Sequence, residues 1–193
     1  MSLIVLAGCS AAACKPQKEK DFKYTLDQFA DIKVMRYTVP GWEDLSLQQK
    51  AYAYHLAEAA KWGNEIHWDQ NCRHNITLKH TLEAILTGYQ GDRNSKDYAG
   101  FEEYAKRVFF SAGIHHHYAE DKFFPECPRE YFASLMQSVG VNDAEALLDV
   151  IYDRENLLQR RSTETSGDIV KLSSVNFYDG VSRDEVEAYY ASI

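Results

Sequence analysis

Basic charge is scarce in this sequence: 21 lysines and arginines face 29 aspartates and glutamates, for a formal net charge of −8. That balance argues against a nucleic-acid partner, whose phosphates require a basic face. The local basic clusters are short, "KPQKEK" near the start and Arg160-Arg161, and read as solvated patches. Cysteine is also sparse. The four, at positions 9, 14, 72 and 127, show no CxxC spacing and no zinc-ribbon pattern. An oxidising compartment would permit a Cys72–Cys127 disulfide, but two buried thiols are the expectation. Catalytic signatures are missing altogether. There is no H-E-x-x-H, H-E-x-x-x-H, G-x-S-x-G, Walker A or G-x-G-x-x-G. Read by itself, the chain shows no chemistry.

What is present is the material of a folded protein. Hydrophobic residues make up 45% and aromatics 13% of 193 residues, enough for one domain or somewhat more. The extreme N-terminus differs from the rest. Leu6-Ala7-Gly8-Cys9 matches a bacterial lipoprotein signal, in which Cys9 receives the lipid and becomes the first mature residue. Only Ser2 to Ala7 precede that site, without the basic n-region and longer apolar stretch of a secretory signal. The match is therefore accidental or a clipped lipoprotein signal, and the second is taken. Residues 1–28 are then signal and polar tether, with the membrane reached only through Cys9. The location follows: the periplasmic face of a bacterial membrane if Cys9 is lipidated, the cytoplasm otherwise.

After the tether, Ile32 to Val39 alternate loosely and stop at Pro40-Gly41, which suggests a short strand. Helices then dominate. Ser46 and Gln49 form a capping box, and Tyr52, Leu56, Ala59, Gly63 and Ile66 share one face behind it. Leu78, Leu82, Ile85, Leu86 and Tyr89 mark a second helix, closed by the turn-rich "TGYQGDRNS". A third runs from Lys96, with Tyr98, Phe101, Ala105 and Val108 inward, and stops near Gly113. Pro128 opens a fourth, with Phe132, Leu135, Met136 and Val139 inward. Asn142 and Glu145 start a fifth, with Leu147, Leu148 and Ile151. "SSVNFYDG" reads as strand and turn. Ser182 and Glu185 cap a last helix, with Val181 stapled against Val186. No stop signal precedes Ile193, so that helix is expected to be cut there. The fold class is mainly α, with one or two short strands.

The segment "GIHHHYAEDKFFPEC" at 113–127 raises the question of a metal. On a helix, adjacent imidazoles point about 100° apart and do not converge. In an extended segment only His115 and His117 share a side, and two ligands are too few for zinc. The run reads as a polar loop that tolerates histidine. Three H-x-x-E pairs also occur: His55/Glu58, His80/Glu83 and His117/Glu120. Di-iron bundles use the reverse order, Glu-x-x-His, with further carboxylates, so His55 and His80 read as helix-face residues. No catalytic residue and no metal ligand is assigned to the chain.

"YAYHLAEAAKWG" (52–63) and "IHHHYAEDKFFPECP" (114–128) nonetheless resemble the N-terminal region of dipeptidyl peptidase III. "VPGWEDLSLQQ" precedes them and "SSVNFYDGVSRDEVEAYY" follows, in the family's order, and the bacterial, Bacteroides-type branch is the nearest. The resemblance covers roughly residues 29–193. It implies a zinc metallopeptidase of two lobes that removes dipeptides from the N-terminus of short peptides. Residues 29–193 would be the helical part of the lower lobe. The zinc, held by a histidine–glutamate motif and a later glutamate, belongs to the upper lobe, and this sequence contains neither motif. The chain is thus expected to be inactive alone and to need the C-terminal remainder of the enzyme. The segment 118–125 would be a loop facing the cleft, with Tyr118 on the wall of the oligopeptide subsites. Lys122, Phe123 and Pro125 would hold that loop in place. The alternative is a free-standing helical lipoprotein module that binds a peptide or protein partner.

Overall fold

A computed structural model describes residues 22–141 and 144–193. Cys9, Cys14 and Asn142 lie outside the described residues. The chain divides into two units, one ending at Val39 and one spanning Pro40–Ile193.

The first unit holds an antiparallel hairpin, β1 (Thr25–Phe29) and β2 (Ile32–Met35), in register Phe29↔Ile32 and Asp27↔Val34. Ala30 makes the turn with a left-handed φ of 46°. The expected strand at Ile32 is thus shorter than its alternation suggested. Its partner β1 lies almost wholly in the stretch assigned to the tether. Thr25–Phe29 carries polar residues at Asp27 and Gln28, so no apolar alternation announces it.

The second unit is mainly helical. A 3₁₀ turn (Trp42–Asp44) leads into α1 (Leu47–Trp62), α2 (Asn64–Asn71), α3 (Asn75–Gly88) and α4 (Lys96–Ser111). Then come α5 (Arg129–Ser138), α6 (Glu145–Tyr152), the single turn α7 (Ile169–Leu172) and α8 (Arg183–Ala191). Both expected capping boxes form, Ser46 with Gln49 and Ser182 with Glu185. Pro128 sits at the N-cap of α5, one residue before the first-turn position expected for it.

The core is built where the 3.6-residue pattern is strongest. Leu78, Leu82 and Ile85 of α3 meet Phe101, Ala105 and Val108 of α4. Phe132, Leu135 and Met136 of α5 and Leu147, Leu148 and Ile151 of α6 complete it. Phe101 and Phe132 pack edge to face at 5.2 Å, the arrangement their ring quadrupoles favour. Cys72 and Cys127 are buried free thiols.

Two expectations fail. Tyr52 and Leu56 lie on α1, but that helix ends at Gly63 and Ile66 falls on α2, so the one continuous face does not form; these residues are 67%, 52% and 59% exposed, and nothing in α1 is buried. A lone helix of that length is marginal in water. The stretch 173–180 forms no strand. Its backbone N–H groups are shared out among separate partners, Ser174 and Val175 to Arg160 and Asn176 to Gln70, so no ladder runs along it.

Among the described residues, no helix is long and apolar enough to cross a membrane.

Candidate functional site

The histidine segment begins where α4 ends. Ala112 takes the left-handed cap conformation and Gly113 follows with φ 150°. A side chain at Gly113 is barred twice, by that angle and by Asn75, whose Nδ2 would lie 2.3 Å from an added Cβ. Asn75 is fully buried and bonds in both directions. Its Nδ2 donates to the Trp68 carbonyl at 2.9 Å, and its Oδ1 accepts from Ile114 N–H at 3.2 Å. One amide side chain thus fixes the end of α2, the start of α3 and the entry to the loop.

From Ile114 the chain makes a tight excursion and returns. Phe123 N–H donates to the Ile114 carbonyl at 2.8 Å, and His116 N–H to the Asp121 carbonyl at 2.8 Å. Glu120 closes the tip by donating to the His116 carbonyl at 3.0 Å, with a left-handed φ of 66°. The His116 ring sits inside this turn. Its Nδ1 accepts from the N–H groups of Tyr118 and Ala119 at 3.1 and 2.9 Å, so the ring proton is on Nε2. The returning strand pairs outward, with Lys122 N–H on the Leu158 carbonyl and Arg160 N–H on the Glu120 carbonyl.

His115 is not a loop-surface residue. It is 2% exposed, with Nε2 donating to the Leu157 carbonyl at 2.9 Å and 3.2 Å from Ser174 Oγ. Its Nδ1 is buried without a partner. Burial pushes the pKa of this imidazole down to about 4, only partly offset by the Leu157 carbonyl. The reading as a polar loop fails here because the bridge between His115 and Lys122 folds His115 inward. His116 and His117 lie nearer the surface and stack at 4.7 Å.

Lys122 is 7% exposed, and its ammonium donates to the Asp153 carbonyl at 2.6 Å. Burial lowers its pKa. Pro125 is buried as well, so both residues hold the loop from inside. Glu120 holds it from outside. Oε1 accepts from Arg160 Nη2 at 3.0 Å and Arg161 Nε at 2.9 Å, and Oε2 from Arg161 N–H at 3.2 Å. Arg161 Nη2 also donates to Oε1. The Arg161 hydrogen bonds, then those of Arg160, draw the Glu120 pKa down to about 2. Arg160 is therefore no solvated patch: its side chain is 17% exposed.

On this fixed base stands Tyr118, 84% exposed. Its ring lies 4.4 Å from that of His117, which meets the exposed Phe110 edge-on at 5.2 Å. The segment therefore presents an aromatic tip on a braced turn, a form suited to packing against a ligand.

It does not suit a metal. His115 Nε2 and both Glu120 oxygens are engaged, and among the described residues no three His, Cys, Asp or Glu side chains converge as a metal site requires. The other H-x-x-E glutamates are engaged too, Glu58 by Lys61 at 2.5 Å and Glu83 by Lys79 at 3.9 Å. Elsewhere, a cavity of about 460 Å³ opens beside Cys72, Arg73, His74, Lys171 and Ser173. Arg73 is paired with Asp179 at 3.2 Å, and Lys171 with Asp168 at 3.9 Å.

Sequence reasoning missed Asn75 and the Glu120–Arg160–Arg161 clamp. The partners lie 39 to 41 residues apart, and no local pattern connects them. The chain matches no family model, and no curated protein matches it significantly.

Proposed function

We propose that residues 29–193 are the N-terminal helical region of a zinc dipeptidyl peptidase III, an enzyme that removes dipeptides from the N-terminus of short peptides. In this reading Tyr118 belongs to the wall of its peptide cleft. The supporting observation is the exposure of Tyr118, 84%, at the tip of a turn fixed by buried Lys122 and clamped Glu120. A ring held out on a fixed turn packs on a substrate side chain without ordering the backbone beneath it, and its hydroxyl adds a donor. The open face of α1 agrees with this reading, since the rest of a larger protein would cover it.

The residues of the histidine segment do not fit zinc, so no step of the chemistry is assigned to them. In the proposed enzyme the metal would sit on residues beyond this sequence. This chain's part is to bind and orient the peptide. Cys9, if lipidated, would tether the protein to the periplasmic face of a bacterial membrane.

The test is dipeptide release from a tetrapeptide by the protein translated from the reading frame extended past codon 193. Release that a chelator abolishes is the expected result. An extended frame without a histidine–glutamate motif, and a product without peptidase activity, would sink the proposal. The second reading, a helical lipoprotein module with a peptide or protein partner, would then rest on the same open face of α1.

A further inference from the structure

We propose that Arg160 and Arg161 form an anion subsite beside Tyr118, which holds the C-terminal carboxylate of a bound peptide. The inference rests on the reading of Tyr118 as a peptide contact and adds the chemistry of the other end of the ligand.

Its basis is an imbalance. One carboxylate, Glu120, faces two guanidiniums. The trio therefore carries one net positive charge in a chain of net charge −8. Across the wider segment the outward charges balance, since exposed Asp121 offsets the trio and the Lys122 ammonium is turned inward to the Asp153 carbonyl, so the excess is local to the clamp.

The donors are also incompletely used. A guanidinium carries five N–H donors. Arg160 reaches Glu120 and the His117 carbonyl through Nη2 alone, at 3.0 and 3.4 Å. Arg161 uses its backbone N–H, Nε and Nη2 on Glu120, which leaves Nη1. The Arg161 side chain is 62% exposed, so this fork faces water.

Position completes the argument. The His117 carbonyl that Arg160 touches belongs to the residue whose ring lies 4.4 Å from Tyr118. The unfilled donors thus lie at the foot of the aromatic tip. A planar fork of this kind suits a carboxylate, which it binds through parallel charge-assisted bonds. A short peptide laid on Tyr118 has one such group, at its C-terminus.

The experiment is a calorimetric titration of the protein extended past residue 193, stripped of metal so that the peptide is not cleaved, with the tetrapeptide Ala-Phe-Ala-Ala as free acid and as C-terminal amide. The free acid is expected to bind about tenfold more tightly, the value of one charge-assisted contact. That preference should shrink as salt is raised, since the site is exposed. Arg161→Met should abolish the preference, and Arg161→Lys, which keeps the charge and loses the fork, should fall between. Should Arg161→Met disturb the fold, the Lys variant and the salt series decide. An amide peptide ending in aspartate that recovers full affinity would overturn the assignment to the terminal carboxylate. Acid and amide binding alike, with Tyr118→Ala weakening both, would overturn the subsite and leave the peptide wall standing. Binding of neither peptide would overturn both.

Discussion

His115 and Glu120 make the fold acid-sensitive with the same sign but in different windows. Burial holds the folded pKa of His115 at about 4, whereas the unfolded chain takes up that proton near about 6.5. Between those values the unfolded state binds more protons, so stability falls as pH drops from about 6.5 to about 4. The full contribution is about 3 kcal/mol. Glu120 has its folded pKa drawn down to about 2 by the two arginines, so its contribution is present above about 4.5 and disappears as pH falls toward 2. Urea midpoints measured at pH 7, 5 and 3 should show both losses. His115→Gln should flatten the upper window and leave the lower one unchanged; an unchanged slope between pH 6.5 and 4 would show that His115 is not held neutral. Glu120→Gln should cost about 1–2 kcal/mol at pH 7 with helical content intact, because it weakens the clamp and touches no core residue.

Between elements, the joint of α2, α3 and the histidine loop depends on a pair matched in size and in backbone conformation. Gly113 leaves room for the Asn75 amide, and Asn75 satisfies a carbonyl and an N–H that are otherwise buried. Asn75→Ala should cost about 2–4 kcal/mol, by the price of two orphaned backbone groups. Gly113→Ala should cost about 2–3 kcal/mol from its φ and the clash. The two changes share one contact, so the double variant should be more stable than the sum of the singles predicts, by about 1 kcal/mol. Strict additivity in denaturant midpoints would mean that the two side chains do not meet. Helix α1 behaves oppositely. Leu56 is half exposed, so Leu56→Ser should change stability by under about 0.5 kcal/mol, whereas Leu82→Ser in the core should cost about 3 kcal/mol or more. A large loss at Leu56 in the isolated chain would show that the α1 face is already covered.

Over the whole molecule, the parts legible in the sequence are those governed by local rules. Ser46 and Ser182 announce their helices through hydroxyl caps, and the α3 to α6 core follows from apolar spacing alone. What stayed hidden depends on long-range partners. The inward fold of His115 needs Leu157 and Ser174, and the clamp on Glu120 needs arginines 40 residues away. The polar strand β1 shows itself only through its pairing with β2. Tyr118 is proposed from resemblance alone, and the bracing of its turn rests on bonds that no spacing encodes. The claim that this tip is a peptide contact is tested most directly by the kinetics of Tyr118→Ala in the protein extended past residue 193. Packing of an aromatic ring on a peptide side chain is worth about 1–3 kcal/mol, so kcat/KM should fall about 10- to 200-fold with metal content unchanged, and Tyr118→Phe should lose far less. An alanine variant kinetically indistinguishable from the parent would contradict the account, and the loop would then be structural only.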